Sequence, residues 1–228
     1  MPGPRHPGEL GGPESAEDGG RAVGERTWTG AVAAAGAVVA GAWLLNGGLT
    51  GTLPPAPAAA QAYDGTPVGP AVPALPPSPP VRVRIPVLGV DAPVARLALD
   101  GEGRLQPPPE EDRNLAGWYR DGAAPGSSGA AVLAGHVDNA HGPAVFYRLG
   151  SLRKGDQLEV ARADGAAAWF QVDGVEVYPK SGFPDRKVYA ATPDAQLRLI
   201  TCGGGFTREG GYDGNVVVYA HLVRTQRA

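Results

Sequence analysis

From Val81 onward, apolar side chains recur at every second position far more often than at helical spacing. VRVRIPV (81–87), AAVLAGHVD (130–138), DQLEVAR (156–162), AAWFQVDGVEVY (167–178), QLRLITC (196–202) and NVVVYAHLV (215–223) each read as strands. APVARLALD (92–100) and RKVYAA (186–191) add two weaker candidates. Turn chemistry separates them: Asp100-Gly101, Pro125-Gly126, Lys154-Gly155-Asp156 and Asp164-Gly165. No stretch of this region carries a helical apolar stripe. Seven or eight short strands with glycine and proline between them predict an all-β barrel or sandwich. The closed barrel is the better expectation, because closure leaves no strand edge free to aggregate. The strand at 196–202 is expected to end at Cys202, with Gly203-Gly204-Gly205 as the loop that follows.

The chain before Val81 follows other rules. Trp28 to Leu45 is an uninterrupted run without a charge, about 27 Å long as a helix. Arg21 and Arg26 precede it, and no Lys or Arg follows until Arg82. That asymmetry predicts a single membrane span with the N-terminus cytoplasmic and the rest outside. A cleaved signal peptide is the competing reading, since Ala60-Gln61-Ala62 resembles a cleavage site. The apolar run already ends at Leu45, so that site lies farther downstream than cleavage normally occurs. From Asn46 to Pro80 prolines recur throughout and only Asp64 is charged. Such a stretch is expected to act as an extended spacer, reaching roughly 30 Å as a coil and roughly 110 Å fully stretched. The predicted organisation is therefore a disordered cytoplasmic tail (1–27), an anchor (28–45), an extracellular linker (46–80) and a β-barrel domain (81–228).

Charge narrows the range of partners. Two of the three formal net negative charges arise before Trp28 and the third is Asp64, while basic and acidic side chains balance over 81–228. A balanced domain offers no footprint for nucleic acid. Glu110-Glu111-Asp112 reads as a solvated loop, and no His/Cys cluster has the spacing of a metal site, so neither metal nor cofactor is expected.

Cys202 is the only cysteine of the chain. In an oxidising compartment a lone thiol is either inert and buried or reactive. A catalytic thiolate needs a cation or donor beside it. Of the histidines, His6 lies in the predicted tail, His141 in a polar loop, and His221 on the same strand face as Tyr219. His136 ends an apolar strand, which places an imidazole at a barrel rim as Cys202 is expected to be. Alternation turns Thr201 to the opposite face from Cys202. Asp138 either orients His136 or caps its loop.

VLAGHVD, FPDRKVYAA, LRLITCGG and YDGNVVVYA, in this order, resemble the sortases, with the actinobacterial class F type as the best match and class E next. IPVLGVDAPV, GWYRDGAAPGSSG and GPAVFYRL extend the resemblance over nearly all of 81–228. It implies an eight-stranded barrel displayed outside the membrane, with Cys202 as nucleophile and His136 as acid/base. It further implies cleavage of an LPxTG- or LAxTG-like sorting signal and a thioester intermediate. The acyl group would then pass to an amine of a cell-wall precursor or a pilin lysine.

The family pattern also implies an arginine near the start of the strand after the cysteine. Asp213 stands where that arginine is expected, which leaves Arg208 in FTREGG and Asn215 as candidates to position substrate or oxyanion. The departure keeps open an impaired barrel that only binds peptide or wall polymer. Another extracellular thiol enzyme is a third reading, although a papain-like fold would begin a helix behind the cysteine and GGG does not.

Overall fold

In the computed structural model the described residues are 53–70 and 72–227. Ten strands form: β1 Pro80–Ile85, β2 Val90–Leu97, β3 Ala116–Tyr119, β4 Gly129–Gly135, β5 Asp138–Asn139, β6 Gly142–Pro143, β7 Gln157–Arg162, β8 Ala166–Pro179, β9 Ala195–Thr207 and β10 Gly211–Arg227. One short helix, α1, spans Asp185–Tyr189. Eight strands close into a barrel in the order β1-β2-β3-β4-β9-β10-β8-β7, and β5 and β6 pair separately. The pairs β2–β3 and β4–β9 are parallel; the other barrel pairs are antiparallel. The expected all-β closed barrel of eight strands is what forms.

Strand alternation builds the interior. Val83 and Ile85 of β1, Leu197 and Leu199 of β9, and Val216, Val218, Ala220 and Leu222 of β10 join one buried cluster with Phe146 and Phe170. Each such large side chain contributes roughly 1.5–3 kcal/mol on burial. On β1 the alternate positions, Arg82 and Arg84, face outward and pair with Asp91 and Glu159. β10 behaves differently, because its outer face is covered as well. Val217 and Tyr219 pack with Val132 of β4, Ile200 of β9 and Val188 of α1 in a second cluster outside the barrel wall.

Three local expectations are corrected. RKVYAA (186–191) is not a strand: most of it is α1, whose Val188 is fully buried against the outer wall. A single buried apolar residue flanked by exposed ones mimics alternation over so short a stretch. The eighth barrel strand is instead β3, AGWY, which is very short and interrupted by glycine. A side chain at Gly117 would collide with Leu97, so the residue that weakens the strand signal is what lets β3 approach β2. Third, β9 does not stop at Cys202 but runs to Thr207.

Residues 53–80 do not behave as a free spacer, since the compact unit begins at Leu53. The Tyr63 ring stacks on Tyr219 at 4.1 Å. The Tyr63 and Val68 amides donate to Glu176 Oε1 (3.0 Å) and Asp173 Oδ1 (2.7 Å). Val72 and Leu75 pack against the inner cluster. Isolated apolar anchors and long-range hydrogen bonds hold this strap, and neither leaves a periodic trace in sequence. Glycines admit it: a Cβ on Gly174 would meet the Tyr63 backbone at 2.6 Å. The predicted tail and anchor lie outside the described residues, and among the described ones no helix is long and apolar enough to cross a membrane.

Candidate active site

The parallel pairing of β4 with β9 sets the site. Leu133 faces Leu199 and Ala134 faces Ile200, so the offset between the strands is constant. His136 follows the last residue of β4 as Cys202 follows Thr201 on β9, and both side chains line the same groove. The last rung is held by a side chain, as Thr201 Oγ1 donates to Gly135 O at 2.8 Å. Thr201 is buried on the barrel's inner side, opposite Cys202, as alternation predicts. Gly135 permits the crossing, because a Cβ there would meet Phe146 and Val145 at 2.7 Å.

On its other edge β9 pairs with β10, and the residue in register with Cys202 is Asn215. Cys202, His136 and Asn215 all line one groove of about 1030 Å³ on the outer wall of the barrel. Cys202 and His136 are half-buried. The site therefore lies on the outer sheet face near the end of β4 rather than on the barrel's rim. Val132, Ala134, Ile200 and Tyr189 supply apolar walls.

His136 is fixed at two points. Its carbonyl accepts from the Phe146 amide at 3.0 Å, and its ring Nε2 lies 2.7 Å from Pro108 O. A carbonyl only accepts, so Nε2 carries the proton in that bond and Nδ1 is left to exchange one.

Asp138 neither caps its own loop nor holds the imidazole. Its Oδ2 accepts a 2.5 Å hydrogen bond from the Tyr212 hydroxyl on β10. Burial and that bond raise the Tyr212 phenol above its ordinary value, which keeps it protonated as a donor. The contact ties the loop after His136 to the hairpin that carries Cys202 and Asn215. Sequence reading missed Tyr212 and Pro108, since neither a tyrosine shortly past a cysteine nor a backbone carbonyl is a recognisable signal.

The remaining candidates fall elsewhere. Arg208 is exposed in the β9–β10 turn, about 20 Å from Cys202 along an extended strand. It does not line the groove. Asp213 is the single residue of β10 opposite Gly204 and Gly205, at a bulge. Its carboxylate lies over those glycines, where a Cβ on Gly204 would collide with Oδ1. The β10 position facing the cysteine thus belongs to Asn215, not Asp213. His221 is buried and bonds Asp173 through Nδ1 at 2.7 Å. His141 stands exposed in the β5–β6 turn. Among the described residues no group of three potential ligands could hold a metal ion.

A thiol and an imidazole lining one open groove, with a side-chain amide in register with the thiol, form the parts list for nucleophilic acyl transfer. Comparison with known proteins agrees with that chemistry. A family model described as "Sortase domain" matches residues 83–223, more than half of the chain. A search of curated proteins finds no match. Similar solved structures include sortase A of Listeria monocytogenes (19% identity, 65% of this chain and 90% of that one, TM-score 0.48). Sortase A of Corynebacterium diphtheriae aligns at 23% identity over 64% of this chain and 62% of its own (TM-score 0.48). The SrtA sortase of Actinomyces oris aligns at 23% identity over 72% and 89% (TM-score 0.48). The chain belongs to the sortase family of cysteine transpeptidases.

Proposed function

We propose that this protein is a membrane-anchored sortase of the class F type that cuts an LPxTG- or LAxTG-like sorting signal through a thioester on Cys202. One observation carries the reading: the β4–β9 register that brings His136 and Cys202 together in an open groove. The Cys202 thiolate attacks the threonine carbonyl carbon. As the C–N bond breaks, His136 gives its proton to the departing amine and the acyl group stays on sulfur. An incoming amine then attacks the thioester and yields a proton to His136. The C–S bond breaks and the thiolate returns. Because a thioester remains activated towards amines, the energy of the first bond is kept for the second.

Asn215, opposite Cys202, supplies the side-chain donor for substrate or oxyanion; Arg208, at the hairpin tip, is the weaker candidate. The acceptor is an amine of a cell-wall precursor or a pilin lysine, on the outer side of a single-pass membrane protein. Incubating the full-length chain with an LAATG peptide tests this by mass spectrometry. A covalent acyl adduct on wild type that Cys202→Ala abolishes supports the reading. Peptide binding without any adduct would instead favour the binding-barrel alternative, which the absence of an arginine in register with Cys202 keeps in view.

A further inference from the structure

Outward-facing residues of β4 pave a channel that runs away from the catalytic pair. Ala130, Val132 and Ala134 recur at every second position before His136, and all line the groove. The small side chains of Ala130 and Ala134 leave room above the sheet. The groove does not end at the start of β4. It shares Gly122, Ala123 and Ser128 with a second cavity of about 470 Å³. That cavity is built by the strap and by β3 with the turn after it: Leu75 and Pro77 from one, Trp118 and Arg120 from the other.

From His136 back to Ser128 the strand and its entry extend about 26 Å. Four residues of a sorting motif before the scissile bond cover about 13 Å of that length. The rest of the channel has no occupant in the proposed reaction.

Building on that reaction, we infer that the enzyme also binds the part of its substrate upstream of the sorting motif. An extended chain runs over β4 and places an apolar side chain, about eight residues before the cleaved bond at strand spacing, in the second cavity. Leu75, Pro77 and the edge of Trp118 give that side chain an apolar seat. The Arg120 side chain is 55% exposed at this cavity, and its ion pair with Asp121 is loose at 3.7 Å. It is placed to meet a carboxylate next to the apolar residue. Contacts made equally in the ground and transition states lower KM and leave kcat unchanged.

The test uses the full-length chain and three peptides. One is LAATG with an acetyl cap. The second carries a further upstream segment that ends in Leu-Glu at the distal end, long enough to reach the second cavity, and the third has Leu-Lys there. The expected result is a KM at least fivefold lower for the Leu-Glu peptide than for the capped one, with equal kcat. Ser128→Trp, at an exposed position where the two cavities join, should erase that gain, so that the capped and extended peptides share one KM. Arg120→Glu should reverse the order of the Leu-Glu and Leu-Lys peptides. Equal KM values for capped and extended peptides would overturn the extended channel alone. No acyl-enzyme with any peptide would overturn the proposed reaction and this inference together.

Discussion

The two ends of β9 make different use of the same strand. At Leu197–Leu199 both faces are covered. Leu197 and Leu199 fill the barrel, while Arg198 lies over the Tyr219 ring at 4.6 Å and is 3% exposed. Burial holds the Arg198 guanidinium below its ordinary value, and the nearby Tyr63 and Tyr219 phenols oppose that effect. From Cys202 to Thr207 the outer cover is gone, and glycines replace bulky side chains. The interior end keeps its charged group sealed, and the other end presents its only thiol to a groove. On the proposed function, Cys202 would owe its reactivity to the removal of cover at one point of the strand, with the covered end holding the register.

If that contrast is right, substitutions at the open end should damage chemistry and spare stability, and those at the covered end should do the reverse. Cys202→Ala is the extreme case, with acyl transfer abolished and the thermal unfolding midpoint unchanged by calorimetry. Asn215→Ala should lower kcat by on the order of 100-fold, the effect of losing one oxyanion donor, in a peptide transfer assay. Tyr212→Phe separates anchoring from folding. The loss of its bond to Asp138 should reduce kcat by about tenfold, in line with a hydrogen bond to a charged group, while Asp138→Asn, which keeps an acceptor, retains most of the rate. Tyr63→Ala works on the covered end. Losing its stack and buried area should cost about 2 kcal/mol in urea unfolding, with kcat within about twofold of wild type. Arg208→Ala, exposed in the β9–β10 turn, should leave both rate and stability within error.

Much of this contrast was legible in the sequence. Period-two patterning located every barrel strand but β3, because each of the others is longer and carries enough apolar side chains to show its period. It failed at AGWY, where packing against Leu97 requires glycine, and at RKVYAA, where one buried valine imitates a strand. Cys202 and His136 stood out by residue type and by the motifs around them, and both line one groove. The site's supports were not legible. The Thr201–Gly135 and Tyr212–Asp138 bonds join residues 66 and 74 positions apart, and only the topology pairs them. Residues 53–80 read as spacer because scattered anchors such as Tyr63 carry no period. Asn215 was separable from Asp213 only once the bulge at Gly204-Gly205 fixed the β9–β10 register.

The proposed site depends on the β4–β9 register setting residue 136 directly beside Cys202. Because the chain has no other cysteine, His136→Cys tests it without interference. Neighbouring strands hold Cα atoms within the roughly 4.4–6.8 Å that a disulfide spans. Mild oxidation of the dilute variant should give a monomer lacking two hydrogens by intact mass, with no thiol left for alkylation. Two freely alkylated thiols under the same conditions would contradict the claim.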